Sequence, residues 1–206
     1  MSGRKLDLER MNLPSVILAS ASPRRCELLR QLGVAFEVIP SAAAESESEH
    51  LSPGELCSLN AYRKARLVSK HHPDALVIGM DTVVALGPKV LGKPRDMNEA
   101  VGMMRQLQGQ THRVCTGVCL IHLRSHKQKI FFEQTTVTFR PLNDEQIQSY
   151  YQFVNPLDKA GAYAIQERGD EIVAQVKGSY SNVVGLPVER LQSELSDFES
   201  IVPLHS

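Results

Sequence analysis

Residues 16 to 33, VILASASPRRCELLRQLG, constrain the fold more than any other stretch: a short apolar strand runs directly into an amphipathic helix. Ser22 suits the N-cap and Pro23 the first helical position, which places Arg24 and Arg25 in the first turn, where backbone N–H groups lack helical partners. The helix macrodipole already makes that end positive. Paired arginines there cost stability unless an anion sits among them, and phosphate is the anion that helix N-termini commonly bind. A phosphorylated ligand is one reading of the segment; a capped helix whose arginines point into solvent is the other.

The rest of the chain repeats the alternation. VAFEVIP reads as a second strand, and SAAAESESEH, small, acidic and without periodicity, as a loop. Ser52-Pro53-Gly54-Glu55 has the form of a capping box that opens a helix running to about His71. ALVIGM is a buried strand that reaches Asp81, with Thr82 to Ala85 continuing it, Gly87-Pro88 turning the chain and Val90-Leu91 pairing back. Asp96 and Glu99 offer another capping box, for a helix that ends near Gly109. THRVCTGVCLIHL and KIFFEQTTVTFR then alternate as the arms of a long antiparallel hairpin. A helix from Asn143 to Phe153, a short EIVAQV strand, the loop KGSYSNVVG and a last helix from Pro187 to about Phe198 complete the pattern. Strands alternating with helices plus one long hairpin give an α/β fold with a mixed sheet flanked by helices. Residues 1–14 read as an N-terminal extension, and 15–206 as one domain.

Composition excludes several partners. Lysine plus arginine and aspartate plus glutamate both number 23, so no global field exists to hold nucleic acid or an anionic membrane, and any anion site is local. No apolar run approaches the roughly 20 residues of a membrane span, and the polar opening MSGRKLDLER lacks the core of a signal peptide. A soluble, cytoplasmic protein is the expectation. Cys115 and Cys119 share one face of a strand about 13 Å apart at roughly 3.3 Å per residue, so they read as small buried thiols and not as a disulfide or zinc site. His71-His72 reads as a solvated loop.

Asp81 ends the segment that is buried on both faces, and ligands of open α/β sheets collect outside such strand ends, which makes it a candidate acid or metal ligand. Lys64 in NAYRKAR, Lys93 in LGKPRD and Asp158-Lys159 in PLDKAGAY add charges, and Glu45 adds a second carboxylate from the acidic loop. Taken alone, each is also what a solvated surface would carry.

In order along the chain, SASPRRCELL, GMDTVV, LGKPRD, LQGQTHRVCTGV, PLDKAGAYAIQ and GSYSNVVGLPVE resemble the Maf family of nucleoside triphosphate pyrophosphatases, over about Ser15 to Leu191. The resemblance implies an elongated α/β fold of the inosine triphosphate pyrophosphatase-like kind, with a central nucleotide cleft. It implies hydrolysis of a nucleoside triphosphate to monophosphate and pyrophosphate with a divalent metal, Mg²⁺ or Mn²⁺, and a homodimer. Asp81 matches the catalytic aspartate. Ser20, Arg24, Arg25, Lys64 and Lys93 match the phosphate-binding positions, Glu45 with Asp81 the metal-binding ones, and Arg24, Thr82 and Gln166 those that set specificity. Asp81-Thr82 with AGAYAIQ places the chain with the dTTP and UTP group. The alternatives are a 7-methyl-GTP pyrophosphatase and a nucleotide-binding regulator of cell division with little turnover; a pure binder has no need of carboxylates facing a polyanion. Where the family often carries two adjacent acids, this chain has Ala44-Glu45, so one metal ligand that the resemblance implies is absent, and either Glu47 or Glu49 replaces it or nothing does.

Overall fold

The computed structural model describes residues 13–48 and 50–201. Residues 1–12, which hold most of the expected extension, and Glu49 therefore lie outside the described residues. The opening unit is as read: strand β1 (Val16–Leu18) passes through Ala19-Ser22 into helix α1 (Pro23–Gln31), followed by β2 (Phe36–Val38). Helix α2 (Pro53–Ser69) opens with a complete capping box between Ser52 and Glu55. Strand β3 (Leu76–Leu86) turns into β4 (Lys89–Leu91), and α3 (Met97–Leu107) follows. Asp96 caps α3 by accepting from the Glu99 N–H, but the Glu99 carboxylate returns to the Arg95 N–H, one residue earlier than a capping box requires.

The hairpin is β5 (Thr111–His122) and β6 (Lys127–Phe139), and α4 (Asp144–Tyr151) comes next. Two readings shift here. The expected EIVAQV strand starts only at β7 (Val173–Lys177), because Gly169–Ile172 form a helical turn, α5. The expected loop KGSYSNVVG contains a short helix, α6 (Tyr180–Val184), capped by Ser179, before α7 (Val188–Leu195) and a 3₁₀ turn over Ser196–Ile201. Five residues are too few to reveal a helical period in sequence.

Among the described residues the strands form one mixed sheet in the order β2-β1-β3-β5-β6-β7, with β4 on the free edge of β3. β1 is parallel to β2 and β3; the other pairs are antiparallel. Its two faces are covered unequally. α2 alone covers one, laying Ala61, Ala65 and Val68 against Val77, Cys119 and Ile121. A larger cluster on the other joins β-strand residues such as Ile78, Met80 and Val118 to the apolar sides of α1, α3, α4 and α7. The cysteines are free and buried, as read, and burial pushes the Cys119 thiol up to about 12, which leaves it inert. His71 is exposed.

α2 sits unusually close to its sheet because β3 and β5 present glycines beneath it. A Cβ on Gly79 would lie 2.3 Å from the Ala61 carbonyl oxygen, and one on Gly117 would lie 2.4 Å from that of Cys57. Nothing but a hydrogen fits at either place. Gly79→Ala should therefore lower stability by about 1 to 3 kcal/mol, the usual range for overpacking. Urea unfolding checks it, and an unchanged midpoint would mean that α2 does not rest on the sheet at this point.

Candidate active site

The site exists because β1 is short. Its pairing with β3 stops at Leu18 opposite Ile78, and β4 takes up the same edge only at Val84, opposite Leu91. From Gly79 to Val83 that edge of β3 is left without a strand neighbour. A cleft of about 460 Å³ opens there. The strand does continue over Thr82 to Ala85 as read, so Asp81 stands in the middle of β3 and does not close it, which corrects its reading as a strand-end residue; it does lie just beyond the parallel β1–β3 ladder, where the switch in strand direction makes room.

Alternation along β3 sends neighbouring side chains to opposite faces. Asp81, buried, points to the α2 side. Asn60 and Lys64 are one helical turn apart on α2, so both reach it. Lys64 Nζ donates to Asp81 Oδ1 at 2.7 Å and to Glu45 Oε1 at 2.6 Å, so one ammonium stands between two carboxylates. Asn60 Nδ2 donates to the other oxygen, Asp81 Oδ2, at 3.2 Å. Burial alone would raise the Glu45 carboxyl, but the hydrogen bond and charge of Lys64, with the fields of Lys93 and Arg25, outweigh it and hold Glu45 below the ordinary carboxylate range. Glu47 does not line the cleft, and Glu49 is outside the described residues.

Thr82 points to the α1 side, into a chain of hydrogen bonds. Arg25 donates from Nε to the Gly185 carbonyl at 2.9 Å, from one terminal nitrogen to Ser20 Oγ and the Met80 carbonyl, and from the other to Thr82 Oγ1 at 2.8 Å. Thr82 Oγ1 lies 3.0 Å from Thr116 Oγ1, which donates to the Asn182 carbonyl. Sequence placed Arg25 on phosphate and Thr82 on a base. Here the Arg25 guanidinium is spent largely on protein oxygens, and the Thr82 hydroxyl has a partner on each side. Arg25 braces the strand-to-helix turn against β3 and the residue after α6. Gly185 holds φ at +120°, a conformation that favours glycine, and so turns its carbonyl toward Arg25.

Arg24 is arranged differently. It lines the cleft and donates to Asp158 Oδ2 at 3.1 Å on the segment that follows α4. Lys159, buried beside it, donates to Asp158 Oδ1 and to the Asn155 carbonyl. No side chain caps α1: Ser22 serves only as the backbone N-cap, so its hydroxyl leaves the first-turn N–H groups open to the cleft. Lys93 and Gln166 line the cleft with no hydrogen-bond partner among the described residues. All the residues singled out in the sequence, from Ser20 through Glu45 to Gln166, thus converge on one cavity. Asp158 and Lys159, read in the sequence only as added charges, also line the cavity, and Asn60 is the contributor that the sequence reading missed; the one available signal was the Asn60–Lys64 spacing.

Chemically, the cleft can hold a polyanion among Arg24, Lys64, Lys93 and an open helix N-terminus, with two carboxylates beside it. No group of three or more His, Cys, Asp or Glu side chains able to hold a metal occurs among the described residues. Two carboxylate oxygens nevertheless suit a hard cation such as Mg²⁺, which is commonly held by one or two carboxylates with the remaining positions filled by substrate phosphates and water.

The fold and site define an α/β protein with a cationic cleft and a carboxylate pair. The chain belongs to the Maf-like protein family, whose pattern it matches over residues 15–198. It is 45% identical over 186 residues to the dTTP/UTP pyrophosphatase of Pelotomaculum thermopropionicum, covering 90% of this chain and 97% of that one. Similar relatives of the same name occur in Symbiobacterium thermophilum, 46% identical over 90% of this chain and 95% of the relative, and in Carboxydothermus hydrogenoformans, 48% identical over 89% and 98%. A HAM1 protein structure from Coxiella burnetii is similar at a TM-score of 0.49 and 13% identity, covering 90% of this chain and all of that one.

The different placements of the two arginines are testable without substrate. Arg25→Lys should lose about 1.5 to 3 kcal/mol in urea unfolding, the range for a hydrogen bond to a charged group, because a single ammonium cannot reach acceptors in several directions. Arg24→Lys, at the more open end of the cleft, should stay within about 0.5 kcal/mol of wild type. Equal losses would remove the distinction.

Proposed function

We propose that the chain is a nucleoside triphosphate pyrophosphatase that converts dTTP and UTP to the monophosphate and pyrophosphate. The observation that carries this reading is the Asp81–Lys64–Glu45 cluster set in a cleft that Arg24, Arg25, Lys93 and Lys159 also line. The names of the relatives support the same reaction and the same pair of nucleotides.

A triphosphate brings about four negative charges, and attack at the α-phosphorus spreads more charge over its oxygens. Arg24 offers planar, two-pronged donors to that charge, and Lys64 and Lys93 offer mobile point charge. The open N-terminus of α1 adds backbone donors. Asp81 accepts the proton of the attacking water at a carboxylate oxygen, with pyrophosphate leaving from the opposite side of the phosphorus. Asp81 and Glu45 are the residues that would hold Mg²⁺ or Mn²⁺, which would supply charge neutralisation and orientation of the phosphate chain. As the triphosphate enters, Lys64 exchanges carboxylate partners for phosphate oxygens.

Base recognition falls to Gln166, whose exposed amide is free to donate to and accept from a base edge, with Arg24 beside the sugar-phosphate. Thr82 contributes by keeping Arg25 and β3 in register. The reading extends to a homodimer in the cytoplasm, for which the family resemblance is the support; light scattering of the purified protein reports the assembly.

Product identity decides the reaction. Incubation of dTTP with Mg²⁺ should yield dTMP and pyrophosphate, and release of orthophosphate with dTDP would mean attack at the γ-phosphorus. Asp81→Asn should lower kcat by roughly 10² to 10⁴ while the protein stays folded. Gln166→Ala should lower kcat/KM for dTTP and UTP more than for a purine triphosphate, and equal losses across bases would take base reading away from Gln166.

A further inference from the structure

Asn60 is buried in the middle of α2, at 3% exposure, where an asparagine is a poor helix former and an unsatisfied amide would be costly. Its amide is fully used. Nδ2 donates to Asp81 Oδ2 at 3.2 Å and to the Ser46 carbonyl at 3.2 Å, while Oδ1 accepts from the Ser46 N–H at 2.7 Å. The opposite amide orientation would set oxygen against a carboxylate and NH₂ against an N–H, so the contacts themselves fix which way it points.

Ser46 directly follows Glu45 in a segment, 41–48, that has no regular structure. Among the described residues, the two Ser46–Asn60 bonds are the only backbone hydrogen bonds from that segment to another element. One side chain therefore touches Asp81 with one hand and fastens the backbone that carries Glu45 with the other. The Lys64 ammonium also meets both carboxylates, yet it is a flexible point charge that the incoming phosphate competes for. The asparagine is rigid, buried and neutral, and a triphosphate has no reason to displace it.

We infer that Asn60 is a positioning residue that holds Glu45 in register with Asp81, so that both carboxylates face one cation on the triphosphate. The inference rests on the pyrophosphatase reading for its catalytic consequence, and on geometry alone for the fastening of the loop.

The test compares the full chain with Asn60→Leu, which keeps the shape and removes all three bonds, and Asn60→Asp, which keeps an acceptor for the Ser46 N–H and removes the donors to Asp81 and to the Ser46 carbonyl. Amide hydrogen exchange should show the Ser46 N–H of Asn60→Leu exchanging about tenfold faster or more, with the β3 and α2 amides unchanged, as expected for local release of one segment. In assays with dTTP and graded Mn²⁺, kcat should fall about 10- to 100-fold, the range for removing a residue that orients ligating groups, and the Mn²⁺ concentration for half-activation should rise. KM for dTTP should move less than about threefold, since the phosphate-binding cations are untouched. Asn60→Asp should retain protection at Ser46 and still lose kcat. Unchanged Ser46 exchange in Asn60→Leu, a kcat within about twofold of wild type, or a loss confined to KM would each overturn the inference. A wild-type protein that releases no pyrophosphate would overturn the pyrophosphatase reading instead, and the exchange result would still decide whether Asn60 fastens the loop.

Discussion

The contact of α2 with the glycines of β3 and β5 is the constraint on which the site depends. Packing of a helix on a sheet is normally set by a layer of side chains, which keeps backbones about 10 Å apart. At Gly79 and Gly117 that layer is missing, and the Ala61 and Cys57 carbonyls approach to distances no Cβ would tolerate. The short side chains of Ala61 and Ala65 complete the approach. Because the helix lies so low, residues as short as Asn60 can span to Asp81, and Lys64 can reach the same carboxylate while extending to Glu45. A larger residue at either glycine would lift the helix and separate these groups before any functional residue was altered.

The charges gathered in this way do not serve stability. A half-buried ammonium between two carboxylates, and an arginine bound largely to protein oxygens, both give up hydration, and the return is commonly close to neutral against an apolar replacement. Arg25 retains a structural use because it ties three separate parts of the chain, the α1 turn, β3 and Gly185, through one rigid group. Lys64 and its two carboxylates have no such use. On the proposed function, their pairing is intelligible as the resting arrangement of groups that a triphosphate rearranges: the ammonium keeps two nearby negative charges from repelling each other until phosphate oxygens draw it away.

Much of this was legible in the sequence, and the failures have particular causes. The strand-turn-helix opening, the Ser52 capping box and the long hairpin follow from local patterns, and all are present. The motif residues carried enough identity to place Asp81, Lys64, Lys93 and Gln166 on one cavity. What local pattern could not supply was the partner of a given side chain. Arg24 and Arg25 are adjacent in the same first turn, yet one opens to the cleft and the other turns under the helix to β3. The apolar run stops at Asp81, and the continuation of the strand over Thr82 to Ala85 is present, but only the fold shows that β1 ends before Asp81 and β4 begins beyond it, which leaves Asp81 on an unpaired edge in mid-strand. Asn60 was hidden for the same reason: its spacing from Lys64 puts both on one face of a helix, but only the tertiary fold shows what its amide touches.

Asp81 and Thr82 bring the two halves of the design together. Being consecutive on a strand, they face opposite sides of the sheet, so β3 carries the Asp81 carboxylate on its α2 face and the brace of Arg25, Thr116 and Asn182 on its α1 face. The brace holds the unpaired stretch from Gly79 to Val83 in line. That stretch lacks a strand neighbour on its cleft edge, and the buried Met80 carbonyl, without a strand partner there, finds its donor in Arg25. An open sheet edge is normally a liability, managed by covering it or by occupying its free groups. Here the guanidinium occupies the edge at one carbonyl and leaves the rest of it as cleft, which is how a strand in mid-sheet can present a carboxylate to a ligand without losing its own hydrogen-bond balance.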